Sequence, residues 1–231
     1  MILKYALLSD LHLGDGSLAD NFRKKNWPDF TELIQKLWFE NYIMVFVGDT
    51  CEAMQFHYSK IFESYPNLRQ ILANSLIVKG NHDIDISKHC QNEIYEYLEL
   101  CDGKVLAYHG YQDDQPIGKG IVKAALKCWA VLERLLGRKI TSWIQSDPIS
   151  PQDPRYVGDK SEYVQKAKER ALEQDCEIVV FGHTHSPGIF YEGERKVINT
   201  GTCQNGKLMY AIIEYDTELK KIIKYDLIFI K

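Results

Sequence analysis

The sequence predicts an α/β protein whose helices pack outside β-sheet layers. Three observations predict it. Short apolar runs alternate with amphipathic helical stretches through the first half of the chain. The last third is built mainly of strand-like runs. Turns rich in Gly, Asp and His follow the apolar runs.

Each element has its own signal. Residues 2–9, "ILKYALLS", are apolar and stop at a polar cluster, which suits a buried strand. Residues 29–41 place Phe30, Leu33, Ile34 and Leu37 at helical spacing, with Asp29 in a capping position. "YIMVFV" (42–47) is β-branched and aromatic, hence a strand, and 57–74 reads as mostly helical. "SLIV" (75–78) and "KVLAY" (104–108) are further strands. A helix is expected over 160–175, then the strand "EIVVF". The chain closes with "KVINT", "KLMYAIIEY" and "KIIKYDLIFI", the last two flanking the polar turn "DTELK" as a hairpin.

The bulk numbers limit the function classes. A chain of 231 residues suits one large domain over 1–231, and 45% hydrophobic with 26% charged residues is an ordinary globular balance. The net charge of -4 offers no general attraction for nucleic acid. The six cysteines, at 51, 90, 101, 128, 176 and 203, contain no C-x-x-C pair, and a core of this size needs no disulfide staples. They read as reduced thiols of a cytoplasmic protein. The opening apolar run is too short for a secretory signal, and no run approaches the ~18 residues of a membrane span.

The pattern breaks over 111–160, which is expected to be a helical and loop insertion and a possible cap over the site. Three of the seven prolines fall in 146–159. Over 118–145, Ile121, Ala125, Cys128, Leu132 and Leu135 recur at helical spacing beside Lys119, Lys123, Lys127, Arg134, Arg138 and Lys139. Such a helix either packs on the core with a solvated basic face or covers an apolar ligand or membrane surface.

The chemistry lies in the turns that close the apolar runs: Asp10-Leu11-His12, Gly48-Asp49, Gly80-Asn81-His82-Asp83, His109-Gly110 and Gly182-His183-Thr184-His185. Ligands of α/β sheets bind beyond the carboxyl ends of the strands, so one crevice is expected to collect all five turns. Imidazole suits zinc, iron, copper and nickel, whereas carboxylate and amide oxygens suit harder ions such as manganese. About seven N and O donors are too many for one tetrahedral ion, and they fit two ions about 3.5–4 Å apart sharing a carboxylate.

These five blocks, in this order across nearly the whole chain, resemble the calcineurin-like metallophosphoesterase superfamily. The resemblance implies a two-sheet β-sandwich flanked by helices. It implies that Asp10, His12 and His185 hold one ion, that Asn81, His109 and His183 hold the other, and that Asp49 bridges. His82 would protonate the leaving oxygen, with Asp83 orienting its ring. The implied reaction is hydrolysis of a phosphomonoester, phosphodiester or pyrophosphate by a hydroxide held between the ions. Manganese is the first expectation for the metal, with iron or zinc as alternatives.

The insertion after His109-Gly110, Glu52 in "GDTCEAM" and "VINTGT" after the last block also resemble the UDP-2,3-diacylglucosamine hydrolases. Those enzymes commonly carry Arg where this chain has His82, so a lipid-linked pyrophosphate substrate is the alternative to a phosphorylated small molecule. A non-catalytic scaffold that keeps the fold would lose ligands, and none is lost here. A nuclease is disfavoured by the acidic balance. Glu52 is expected to support the site structurally rather than take part in the chemistry. Cys51 reads as packing, Thr184 as a turn residue, and His57 and His89 as ordinary histidines outside the site.

Overall fold

A computed structural model of the chain describes residues 1–114 and 156–230. Eleven strands and four α-helices lie within them. In chain order they are β1 (Ile2–Leu8), α1 (Trp27–Phe39), β2 (Tyr42–Val47), α2 (Tyr58–Ser64), α3 (Leu68–Ala73), β3 (Ser75–Val78), β4 (Ile94–Tyr95), β5 (Tyr97–Leu100) and β6 (Val105–Tyr108). Then come α4 (Glu162–Glu173), β7 (Ile178–Phe181), β8 (Gly188–Glu192), β9 (Arg195–Asn199), β10 (Met209–Asp216) and β11 (Lys221–Phe229).

The strands form two mixed sheets, one in the order β11-β10-β1-β2-β3-β4 and the other β5-β6-β7-β9-β8. In the first, β1, β2, β3 and β4 run parallel, β10 runs antiparallel to β1, and β11 runs antiparallel to β10. In the second, β6, β7 and β9 are parallel while β5 and β8 flank them antiparallel. The expected β10–β11 hairpin is present, pairing Met209 with Phe229 at one end and Asp216 with Lys221 at the other, with a register shift between Glu214 and Tyr215.

Side-chain alternation explains the layers. In β1, Ala6 and Leu8 face the core shared with α1, whereas Tyr5 and Leu7 face the second sheet. In β7, Ile178 and Val180 point into the inter-sheet core and Val179 and Phe181 point to α4. Central strands with both faces buried read as unbroken apolar runs, which is why they stand out in the sequence. The result is helices, sheet, sheet, helix: the two-sheet sandwich flanked by helices that the motifs implied.

Helix α1 buries Phe30, Leu33, Ile34 and Leu37 at the expected spacing. Burying each is worth about 1.5–3 kcal/mol. It begins two residues before Asp29, with Pro28 in its first turn and Asn26 at the N-cap. The 57–74 stretch is two helices, because Pro66 and Asn67 interrupt it and Asn67 takes a left-handed φ of 66°. Strands β4, β5 and β8, which the sequence did not announce, lie at sheet edges or beside them.

Most of the expected 111–160 insertion, and all of the basic amphipathic stretch 118–145, lies outside the described residues. Among the described cysteines, Cys51, Cys90, Cys101, Cys176 and Cys203 are free thiols. Among the described residues, no helix is long and apolar enough to cross a membrane.

Candidate metal centre

The five blocks meet, but not at the edge of a single sheet. Asp10 and His12 follow β1, Asp49 follows β2, and Asn81 and His82 follow β3, all in the first sheet. His109 follows β6, and His183 and His185 follow β7, in the second. The one crevice expected to collect all five turns is present, and it lies between two sheets. The carboxyl ends of two facing sheets supply the site, and hydrogen bonds join them. The His183 amide donates to Asp10 Oδ2 at 2.9 Å, and the Ser9 and Thr200 hydroxyls pair at 2.6 Å.

The backbone bends sharply to bring these side chains inward. Asp10, His12, Asp49, His183 and His185 have φ of 54°, 48°, 50°, 65° and 53°. The left-handed region costs an L-residue on the order of 1 kcal/mol, less for Asp and His than for most, and such residues cluster at functional sites. Ladder-like bonds offset the cost: the Asp10 amide donates to Gly48 O at 3.1 Å and the His12 amide to Asp49 O at 2.9 Å. Two glycines are required by close approach. A Cβ at Gly80 would overlap the Asp49 amide nitrogen and Oδ1, and one at Gly182 would overlap Ser9 Oγ and Asp10 Oδ2.

Three groups of side chains place candidate ligand atoms within 4.8 Å of one another: Asp10, His12 and His185; Asp49, His109 and His183; and His12, Glu52 and His82. Asp49 Oδ2 sits 3.1 Å from His109 Nε2, 3.6 Å from His12 Nε2 and 4.0 Å from His82 Nε2, between the first two groups. Asp10 Oδ1 lies 3.1 Å from His185 Nε2 and 3.7 Å from His12 Nε2.

The donor set suits divalent cations on an independent observation. Among the described residues, His12 Nε2, His109 Nε2 and Asn81 Oδ1 are buried without a hydrogen-bond partner. Buried polar atoms are satisfied in the great majority of cases, and ligand atoms of this kind, the two ring nitrogens lying 3.1–3.7 Å from the Asp10 or Asp49 carboxylate, are what a bound cation would partner.

The tautomers follow from the acceptors. Val47 O can only accept, so His109 carries a proton on Nδ1, 2.8 Å away, and turns Nε2 toward Asp49. Glu52 accepts from two rings, His12 Nδ1 at 2.8 Å and His82 Nδ1 at 2.7 Å. Burial works to raise the Glu52 carboxyl, but the His82 charge and the bonds from both rings win and bring it down to about 2. It is therefore an anionic acceptor. The same contest holds Asp10 and Asp49 well below the carboxylate range: burial opposes, while His185 and His109 act on Asp10, and His109 and His82 on Asp49.

Asp83 does not orient His82, as the motif had implied. Its carboxylate accepts from the backbone amides of Cys51 at 2.8 Å, Gly80 at 3.0 Å and Thr50 at 3.3 Å, tying the turn after β3 to the turn after β2. Glu52, from a block whose acidic residue the sequence assigned only to support, takes the orienting part. Cys51 is fully buried and burial pushes its thiol well up, which fits packing. Thr184 Oγ1 accepts from Asn199 Nδ2 at 2.7 Å, so this turn residue is anchored to the end of β9. His89 stacks on Tyr58 at 4.2 Å, and neither His57 nor His89 joins a candidate ligand group among the described residues.

Two contributors went unnoticed in the sequence. Ser9 Oγ donates to Asp10 Oδ2, and Asp114 Oδ1 lies 3.0 Å from His183 Nε2. Ser9 closes an apolar run and Asp114 sits in a turn-rich stretch, so neither carries a local signal.

The chain belongs to the calcineurin-like phosphoesterase family, whose model matches residues 3–187. It is similar in fold to an archaeal phosphodiesterase at 18% identity, with 99% of this chain and 100% of that one covered and a TM-score of 0.48. It is similar to the phosphoesterase YfcE of E. coli at 15% identity, covering 97% and 98%, with a TM-score of 0.47. The Vps29 of Chaetomium thermophilum aligns at 11% identity over 99% and 97%, with a TM-score of 0.45. No curated protein matches the chain.

Proposed function

We propose that the chain is a two-metal-dependent hydrolase of phosphoester bonds. The observation that carries this is that, among the described residues, His12 Nε2, His109 Nε2 and Asn81 Oδ1 are buried without a hydrogen-bond partner, the two ring nitrogens close to the Asp10 and Asp49 carboxylates. Asp10, His12 and His185 would hold one divalent ion, Asn81, His109 and His183 the other, and the Asp49 carboxylate would be shared. Manganese is the metal of first choice for this mixed N/O set, with iron or zinc as alternatives. Bound there, the ions would supply a water of lowered pKa and neutralise charge on the phosphoryl oxygens.

The remaining work falls to protein groups. Glu52 holds the Nδ1–H of His82, so His82 presents Nε2–H into the site on the Asp49 side. Burial works against protonating this ring, but Glu52 and Asp49 outweigh it and raise its pKa. A protonated His82 can pass the Nε2 proton to the leaving oxygen, a step worth roughly 10²–10⁴-fold. Glu52 also fixes His12, so one carboxylate sets the ring of a proposed ligand and the ring of the proposed acid.

The proposed substrate is a phosphorylated small molecule, with a lipid-linked pyrophosphate as the narrower alternative. Asp49→Ala should reduce manganese content and abolish manganese-dependent hydrolysis of aryl and bis-aryl phosphates. Unchanged turnover would refute the two-metal reading. A panel of phosphomonoesters, diesters and nucleotide-sugar pyrophosphates with short and long acyl chains assigns the substrate class. Equal kcat/KM at both chain lengths would exclude an acyl clamp.

A further inference from the structure

The proposed histidine ligands do not all present the same nitrogen. In His12 and His109 the Nδ1–H is taken by Glu52 and by Val47 O, leaving Nε2 as the coordinating atom. His183 is reversed, because its Nε2 lies 3.0 Å from Asp114 Oδ1. That oxygen is already the acceptor of the Tyr163 hydroxyl, and a carboxylate oxygen placed between two such groups accepts from both, so His183 donates from Nε2 and turns Nδ1 to the other side.

We infer that Asp114 is a positioning residue that fixes the tautomer and ring of His183, so that Nδ1 faces the ion shared with Asp49, His109 and Asn81. This rests on the two-metal reading above. The geometry around the pair supports it. The Tyr163 hydroxyl donates to the same Asp114 oxygen at 2.6 Å, and its ring lies 5.5 Å from that of His183. On the other side the His109 ring meets His183 edge-on at 5.2 Å, and a Cβ at Gly110 would stand 3.0 Å from His183 Cβ. The imidazole is thus bounded by His109, Gly110 and Tyr163, and Asp114 selects which nitrogen points inward. Outer carboxylates of this kind raise ligand basicity and typically account for 10–100-fold in metal affinity.

Tyr163 stands at a junction. It bonds Asp114 and stacks on Tyr156 at 5.6 Å, so residues 114 and 156 approach one tyrosine beside His183.

The test is manganese titration of metal-free protein, followed by calorimetry and by electron paramagnetic resonance of free Mn²⁺. Wild type should bind two ions. Asp114→Ala should weaken one of them about 10–100-fold and spare the other. Asp114→Asn, which keeps an oxygen acceptor without the charge, should lose less. In a His183→Ala background, Asp114→Ala should have no further effect. If Asp114→Ala binds both ions as wild type does, or weakens both equally, the inference is overturned. It is also overturned if the alanine effect persists in the His183→Ala background, since Asp114 would then act as a ligand in its own right. Wild type binding no manganese, iron or zinc would instead refute the two-metal reading beneath it. If Asp114→Ala fails to fold, Asp114→Asn decides. A ¹⁵N spectrum of its His183 ring should still show the proton on Nε2, and a proton on Nδ1 would overturn the assignment.

Discussion

Glu52→Gln separates the support of His82 from the chemistry it is proposed to perform. The carboxylate accepts from two Nδ1–H groups, at 2.8 Å from His12 and 2.7 Å from His82. A glutamine has one oxygen and one NH₂, so it can accept from only one ring and must donate to the other. The net fall of the Glu52 carboxyl from 4.5 to about 2, against burial, is on the order of 3 kcal/mol at 1.36 kcal/mol per pH unit. With two imidazoles sharing it, the effect on His82 is on the order of one pH unit.

The sign depends on which form each group favours. The low Glu52 pKa means stability present above pH 4.5 and lost as pH falls through about 2. The raised His82 pKa means that its protonated form persists above pH 6.5 and activity falls as pH rises through the raised value. Glu52→Gln should therefore move the basic limb of the kcat profile down by about one pH unit. The assay is kcat against pH for an aryl phosphate, with manganese content measured in parallel. If the basic limb stays in place at full metal content, Glu52 does not tune His82 and the proton-transfer role is wrong.

Three further outcomes are expected. Burial opposes protonation of His109, but Asp49 and Asp10 raise it to about 9, so in metal-free protein its stabilisation is complete below pH 6.5 and lost as pH rises through about 9. Coordination needs the neutral ring, so manganese binding at pH 7.5 should release about one proton from this residue. Calorimetry in two buffers of different ionisation enthalpy reads it, and identical heats would contradict it. Gly80→Ala places a methyl on rigid Asp49 backbone and should cost ~1–3 kcal/mol or more in urea denaturation; a neutral result would mean the turn shifts freely. Asn199→Ala strips the partners of Thr184 Oγ1 and the Gly201 amide and should cost ~1–3 kcal/mol. It should also weaken manganese binding by displacing the turn that carries His183 and His185, and unaltered affinity would show that the turn holds itself.

Much of the fold was legible because its inner strands are buried on both faces. β2 and β7 are unbroken apolar runs, β1 is broken only by Lys4 and β3 is apolar after Ser75, and hydrophobic runs are what a sequence displays best. β4 has two residues, β5 alternates exposed and buried positions, and β8 is only half-buried, so their signals are weak and depend on their neighbours. The side chains at the site were legible for a related reason: each comes within a few residues of the end of such a run. Their partners were not. Glu52 and Asp114 act on histidines 30 and 69 positions away, and Ser9 meets Thr200 across 191. The first two form only once neighbouring strands of a sheet have paired, and the third only once the two sheets have closed on each other. The exchange of Asp83 for Glu52 as the orienting carboxylate shows the limit: adjacency in sequence suggested one acid, and the bend of the turn delivered another.

The division of the blocks between the sheets has a consequence for how the protein comes into being. Three blocks precede residue 84 and two come after residue 108, so neither half of the chain owns a complete ligand set. A nascent chain cannot acquire a finished reaction centre until its later strands have docked. Catalytic competence then serves as a certificate of assembly, issued last. Severed between the third and fourth blocks, the chain would give two silent pieces whose reunion could be followed by the appearance of ion capture.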